Sequence, residues 1–265
     1  MGELRISLAT IILPRLEVFF LEEWIEHHLL LGVNRIYIYD NGLKPVASKD
    51  AHWKVYNSNT NYELPEETSH KWEKKPCLNY FEKYTDEEIY QKLSDIENKF
   101  SQVRIIPWVC GVNHEYGYPN SQGKMWFNCT DRFKSDWWLN LDPDEYMMLK
   151  KYDNLHEMIQ DNSGITYFNF VAKGFHFRQF GEVVRGNYKC VLAKNHHPND
   201  WPLKWMAKMS ASSDILYYAN VHKIRIKNMN VKKFSGEDDV LFHHYCRYPH
   251  DTHTDDSMKK YINNS

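Results

Sequence analysis

The chain is short of the features that usually announce a function. Its five cysteines, Cys77, Cys110, Cys129, Cys190 and Cys246, stand singly, with no CxxC pair among them. An odd, scattered set excludes a disulfide framework and predicts buried free thiols in a reducing compartment. Long apolar runs are missing too. The one near the N-terminus, Ile6 to Leu13, is broken by Pro14 and Arg15 and has no small-residue cleavage site. It falls well short of the ~20 residues that cross a bilayer, so no transmembrane segment is expected. Charge of one sign is lacking: 33 Lys and Arg against 35 Asp and Glu leave a formal charge of -2. That balance argues against a nucleic-acid binder held by bulk charge. GxGxxG, GxxxxGKS, GxSxG and HExxH are all absent. Dinucleotide, P-loop, serine-hydrolase and zinc-protease readings therefore have no signature.

What the chain does have is length for one sizeable α/β core, 265 residues with 42% hydrophobic side chains. It is also rich in rings, with 9 Trp, 18 Tyr and 13 Phe, 15% of the whole. Such rings fill cores or line sugar sites. Two N-glycosylation patterns, Asn128-Cys129-Thr130 and Asn263-Asn264-Ser265, occur without a signal peptide and are read as chance matches.

Periodicity gives the organisation. Arg5 to Ile12 reads as a buried strand. Leu16 to Leu31 has apolar residues at helical spacing, with Gly32 where a C-cap is wanted. Val33 to Tyr39 alternates as a strand that ends in Asp40-Asn41-Gly42. Strand, helix and strand with short joins form a βαβ unit and predict a parallel sheet. Ligands of such sheets bind at the carboxyl ends of the strands, where Asp40 and Asn41 fall. Residues 44–100 are polar, with a charged helix around Asp86 to Lys99, and read as an elaboration of a single domain spanning 1–265. Further strands are expected at Val103 to Trp108, Trp137 to Leu141 and Ile165 to Ala172, and a helix at Gln122 to Phe133.

Three constellations could carry chemistry. Asp142-Pro143-Asp144-Glu145 follows a buried strand directly. Three carboxylates in four residues repel one another, and a hard divalent cation, Mg²⁺ or Mn²⁺, is a good reason to keep them together. His243-His244-Tyr245 follows the apolar Val240-Leu241-Phe242. Lys204-Trp205-Met206-Ala207-Lys208 carries cations suited to a diphosphate, although its spacing alone reads as a solvated face.

These segments together resemble the family 92 glycosyltransferases and their family-2-like bacterial and viral relatives. Leu21 to Val33 followed by Ile36-Tyr37-Ile38-Tyr39-Asp40-Asn41-Gly42 is similar to the family's LxEWIxxHxxLGVxxxYIYDNGS. Trp138 to Tyr146 resembles its WxxxxDxDEF, and His244-Tyr245 its C-terminal HY. Leu13-Pro14-Arg15 stands where the family has Lys-Asn-Glu, and Leu43 where it has Ser. The resemblance implies a GT-A-like, Rossmann-like fold with a mostly parallel sheet flanked by helices. It implies a transferase that moves a sugar from a nucleotide-diphosphate donor, UDP-linked by preference, to a glycan hydroxyl with inversion and with Mn²⁺ or Mg²⁺. Carried over by position, Asp40 and Asn41 lie by the base or ribose, Asp142 and Asp144 form the metal pair with Asp142 nearer the ribose, Glu145 binds metal water or orients the sugar, and His244 is the metal or diphosphate ligand; Lys204 and Lys208 are the cationic candidates for the donor's diphosphate. An inverting reaction needs one base, for which Glu182 is the candidate and the Glu237-Asp238-Asp239 run the alternative. Trp72, Trp108, Trp201 and Trp205 are candidate sugar-facing rings. A cytoplasmic bacterial or viral enzyme is expected, or the soluble catalytic domain of a longer protein. Two other classes use the same residues: a two-metal phosphoesterase, and a degenerate transferase-like module that only binds carbohydrate.

Overall fold

The structure, a computed structural model, describes residues 4–12, 14–43, 84–108, 118–175, 189–191, 204–209, 215–219, 224–226, 229–234, 240–245 and 253–254. Strand β1 (Ile6–Ile12) is buried at every position. Helix α1 (Pro14–Leu30) opens on proline, whose fixed φ and missing N–H suit a first turn. The helix therefore starts two residues before the apolar spacing predicts. It stops as expected at Gly32, whose φ of 93° takes the left-handed C′ place. The amide of Gly32 donates to the Leu29 carbonyl and that of Val33 to His28, the pair that closes a Schellman motif. A Cβ built on Gly32 would also lie 2.8 Å from Cδ2 of His156. Gly32→Ala is expected to cost about 1–2 kcal/mol from the backbone alone, read as a lower denaturation midpoint; an unchanged midpoint would contradict the cap.

Strand β2 (Arg35–Asp40) pairs parallel with β1, which completes the βαβ unit. Helix α2 (Asp86–Lys99) starts at a Thr85 capping box shared with Glu88. It lies against α1, where Lys99 bonds Glu22 and Glu26. Strand β3 (Val103–Pro107), helix α3 (Tyr118–Arg132) and strand β4 (Trp137–Asn140) follow. Strand β5 (Glu145–Leu149) comes directly after the acidic run, and helix α4 (Leu155–Asp161) after that. The remaining strands are β6 (Tyr167–Phe170), β7 (Ala172–Phe175), β8 (Lys189–Val191), β9 (Lys204–Lys208), β10 (Ile215–Ala219), β11 (Ile224–Ile226), β12 (Val231–Lys233), β13 (Val240–Tyr245) and β14 (His253–Thr254).

Seven strands form the main sheet in the order β12-β6-β9-β4-β1-β2-β3. Only β9 runs against the rest, since its two neighbours are its antiparallel partners and every other pairing is parallel. One face of this sheet buries Leu8, Ile12, Ile38 and Leu139 with Trp24 and Ile25 of α1 and Leu93 of α2. The other buries Ala9, Tyr37, Tyr39 and Trp138 beneath Met125, Trp126 and Cys129 of α3. Helices thus flank both faces, the layering expected of an α/β sheet. The single strand expected over 165–172 is two strands in two sheets: β6 belongs to the main sheet and β7 to a second, of order β14-β8-β7-β13-β5. Asn128 lies within α3, is half-buried, and accepts from the Tyr39 hydroxyl at 3.0 Å. Among the described residues no helix is long and apolar enough to cross a membrane.

Candidate functional site

The chain lays β1, β2 and β3 side by side, then places β4 on the other side of β1. The order therefore reverses between β1 and β4, and a crevice outside the carboxyl ends of strands at such a switch point is where ligands of open α/β sheets bind. Asp142 follows two residues after the end of β4, at the carboxyl edge of the sheet beside this switch point. Pro143 takes the second position of a tight turn closed by the Glu145 amide donating to the Asp142 carbonyl at 3.0 Å. Glu145 folds back so that its Oε2 accepts from the Asp142 amide at 2.7 Å.

Lys204 meets this turn from β9, which lies antiparallel between β4 and β6. Its ammonium is 2.6 Å from Asp142 Oδ2 and 3.0 Å from Glu145 Oε2, and the side chain is wholly buried. Burial alone would depress its pKa, but Asp142 and Glu145 outweigh that and hold it above the ordinary lysine value. The solvated face suggested by the local pattern is therefore wrong for Lys204. Lys204 thus pairs with two of the turn's three carboxylates. Lys208 sits elsewhere: it is exposed and pairs with Trp137, the first residue of β4, at the opposite end of the strand from Asp142.

Helix α1 holds the turn from the other side. Trp24 Nε1 donates to the Glu145 carbonyl and His27 Nε2 to the Met147 carbonyl, both at 2.8 Å. His28 donates from Nδ1 to the Trp24 carbonyl, which leaves its Nε2 to accept from the Met147 amide at 3.4 Å. β5 pairs through one edge with β13. Among the described residues its other edge is met by side chains of α1 and by no strand. Trp24, His27 and His28 are spaced i, i+3, i+4, one face of a helix. That spacing was the available sign that two histidines in an apolar stripe had buried partners. Across the ladder, His244 stands at the register position opposite Glu145, and His243 opposite Tyr146.

Asp40 and Asn41 end β2, two strand spacings or about 10 Å from β4. Asp40 is 8% exposed; burial raises its pKa, while the Gly42 amide at 2.8 Å pulls it down, with a net rise. The native state therefore favours the protonated form, and ionised Asp40 costs stability above its unfolded value near 3.8. Asp40→Asn is expected to raise the melting temperature at neutral pH, and the gain should vanish as pH falls towards 3.8; a gain that persists in acid would point to another cause. Trp108, just past β3, donates its amide to the Asp40 carbonyl at 2.7 Å. Asn41 Oδ1 and Trp108 Nε1 are both buried without a hydrogen-bond partner. An acceptor and a donor are held at the same edge as the acidic turn.

Trp205 is wholly buried, its ring 4.5 Å from that of Trp126, so it is core and no sugar platform. Trp24, Tyr39, Trp138 and Tyr146 are likewise buried. Glu182, Trp72, Trp201 and the 237–239 acidic run lie outside the described residues, as does the His244 side chain.

Among the described residues no group of three or more His, Cys, Asp or Glu could hold a metal ion. The donor set still suits one hard cation. Mg²⁺-type sites use one or two carboxylates and fill the remaining positions with water and substrate phosphates. Asp142 and Asp144 offer those oxygens. No protein-family model matches the chain, and no curated protein matches it.

Proposed function

We propose that this chain belongs to the α/β proteins that bind a nucleoside diphosphate-linked substrate at the β1/β4 crevice. More particularly, we propose a GT-A-like glycosyltransferase related to family 92, which moves a sugar from a nucleotide-diphosphate donor to a glycan hydroxyl. The observation that carries this reading is the acidic turn at the switch point, part-neutralised by a buried lysine. Asp40, Asn41 Oδ1 and Trp108 Nε1 supply hydrogen-bonding groups for the base and ribose. Asp142 and Asp144 would hold a divalent cation, with His244 placed across from Glu145 as the further candidate ligand. Such a cation supplies charge neutralisation for the departing diphosphate. Lys204 holds the Asp142 and Glu145 carboxylates in place, so the turn need not reorganise as negative charge builds.

The test is a melting screen of the full chain with UDP-, GDP- and CMP-sugars, with and without Mn²⁺. A metal-dependent rise for one nucleotide supports transfer. A rise with metal and no nucleotide preference supports phosphoester hydrolysis instead. No rise with any ligand overturns the donor-site reading and favours a carbohydrate-binding module.

A further inference from the structure

The amino ends of the parallel strands, at the far edge of the sheet from the acidic turn, carry a cluster of cations. Arg5 precedes β1, Arg35 opens β2, Arg104 lies on β3, Arg132 ends α3 and Lys134 follows it; all five are exposed. The register sets Ser7 against Arg35 and Tyr37 against Arg104. Arg35 and Arg104 therefore stand on adjacent strands two residues out of register, about 8 Å apart, and Arg5 stands in the same relation to Arg35. Phe133 stacks on Tyr37 at 4.2 Å, and the guanidinium carbons of Arg104 and Arg132 lie 5.5 and 5.4 Å from its ring centre. Arg5 reaches the Lys134 carbonyl at 3.4 Å. Among the described residues, no carboxylate forms an ion pair with any of the five side chains. Asp136 and Glu97 are turned to the amides of Arg5 and Ile105. Against the five cations stand the carboxylates of Asp131, Asp136 and Glu97, so in a chain of formal charge -2 this edge keeps a net excess of two positive charges.

We propose that this edge docks on an anionic membrane surface. The cations are spread along strand ends instead of converging on a cavity, so they suit an extended array of negative charge over one small anion. Among extended polyanions, single-stranded nucleic acid is held by rings that stack on bases. Phe133 is already engaged by Tyr37 and two guanidinium groups. A lipid surface asks only for exposed cations within a Debye length. Docked this way, the protein would turn its acidic turn away from the bilayer.

Co-sedimentation of the full chain with vesicles tests this, using phosphatidylcholine with and without phosphatidylserine, at low and high salt. Binding should need phosphatidylserine and should fall with salt. Each cation removed should weaken it about five-fold, so the pair Arg35→Gln and Arg104→Gln should lose about 25-fold. The pair Lys151→Gln and Lys233→Gln changes the net charge equally, away from this edge, and should bind as wild type. Melting curves of both pairs establish that they fold. Equal losses in both pairs, no binding to anionic vesicles, or tighter binding to a single-stranded oligonucleotide through the same arginines would each overturn the proposal. The assay reads no sugar transfer, so its outcome is independent of the function proposed above.

Discussion

Lys204→Met is expected to destabilise the protein by about 3 kcal/mol, the lower end for breaking a buried ion pair by removing one partner. The lower end applies because Asp142 is 29% exposed and regains some water, whereas Glu145, at 1%, does not. The loss is one of charge, and that gives it a pH signature. Protonating the stranded carboxylates removes the penalty, so the deficit should be full at neutral pH and shrink as pH falls through their range. In wild type, the ammonium's contribution is complete below the ordinary lysine value of 10.5 and is lost only as pH rises through its higher folded value. Denaturant midpoints of both proteins across this span check it. An equal deficit in acid and at neutrality would mean that lost packing, and not the ion pair, carries the effect.

Asp144→Ala is expected to act the other way round, on activity and barely on stability. Asp144 is part-exposed in the turn after β4. Removing one preorganised group that holds charge in a transition state costs about 10²–10³-fold in rate. Release of nucleoside diphosphate from the donor identified by the melting screen should fall by that factor, with the melting temperature within experimental scatter of wild type. Persistence of Mn²⁺-independent turnover in EDTA and in Asp144→Ala would remove the metal site from the mechanism.

Much of the fold was legible because it is written locally. β1, α1 and β2 announce themselves through period and cap, and α2 runs over the residues expected of it because its capping box and amphipathic face lie in one short stretch. The acidic turn was legible because three carboxylates cannot sit together after a buried strand without a reason. Lys204 was not. In Lys204-Trp205-Met206-Ala207-Lys208 the two lysines look alike; only pairing with β4 buries one against Asp142, 62 residues earlier, and leaves the other in water. Val171 is a similar case. The residues on either side of it have one alternation, yet they join different sheets, because a change of hydrogen-bonding partner leaves no mark on period. Trp205 was misassigned for the same reason: burial of a ring on a strand depends on what helix lies above it.

The side chains that line the free edge of β5 also bear on how the molecule assembles. Trp24 and His27 reach residues 121 and 120 positions further along the chain. Contacts that distant form only after a long loop has closed, so they belong to the slow, non-local part of folding. The geometry of the acidic turn is therefore completed late, after α1 has settled on β5. It follows that a fragment begun beyond residue 31 would contain Asp142, Asp144, Glu145 and Lys204 unchanged. It would nonetheless present β5 with an open backbone edge, ready to pair with another chain.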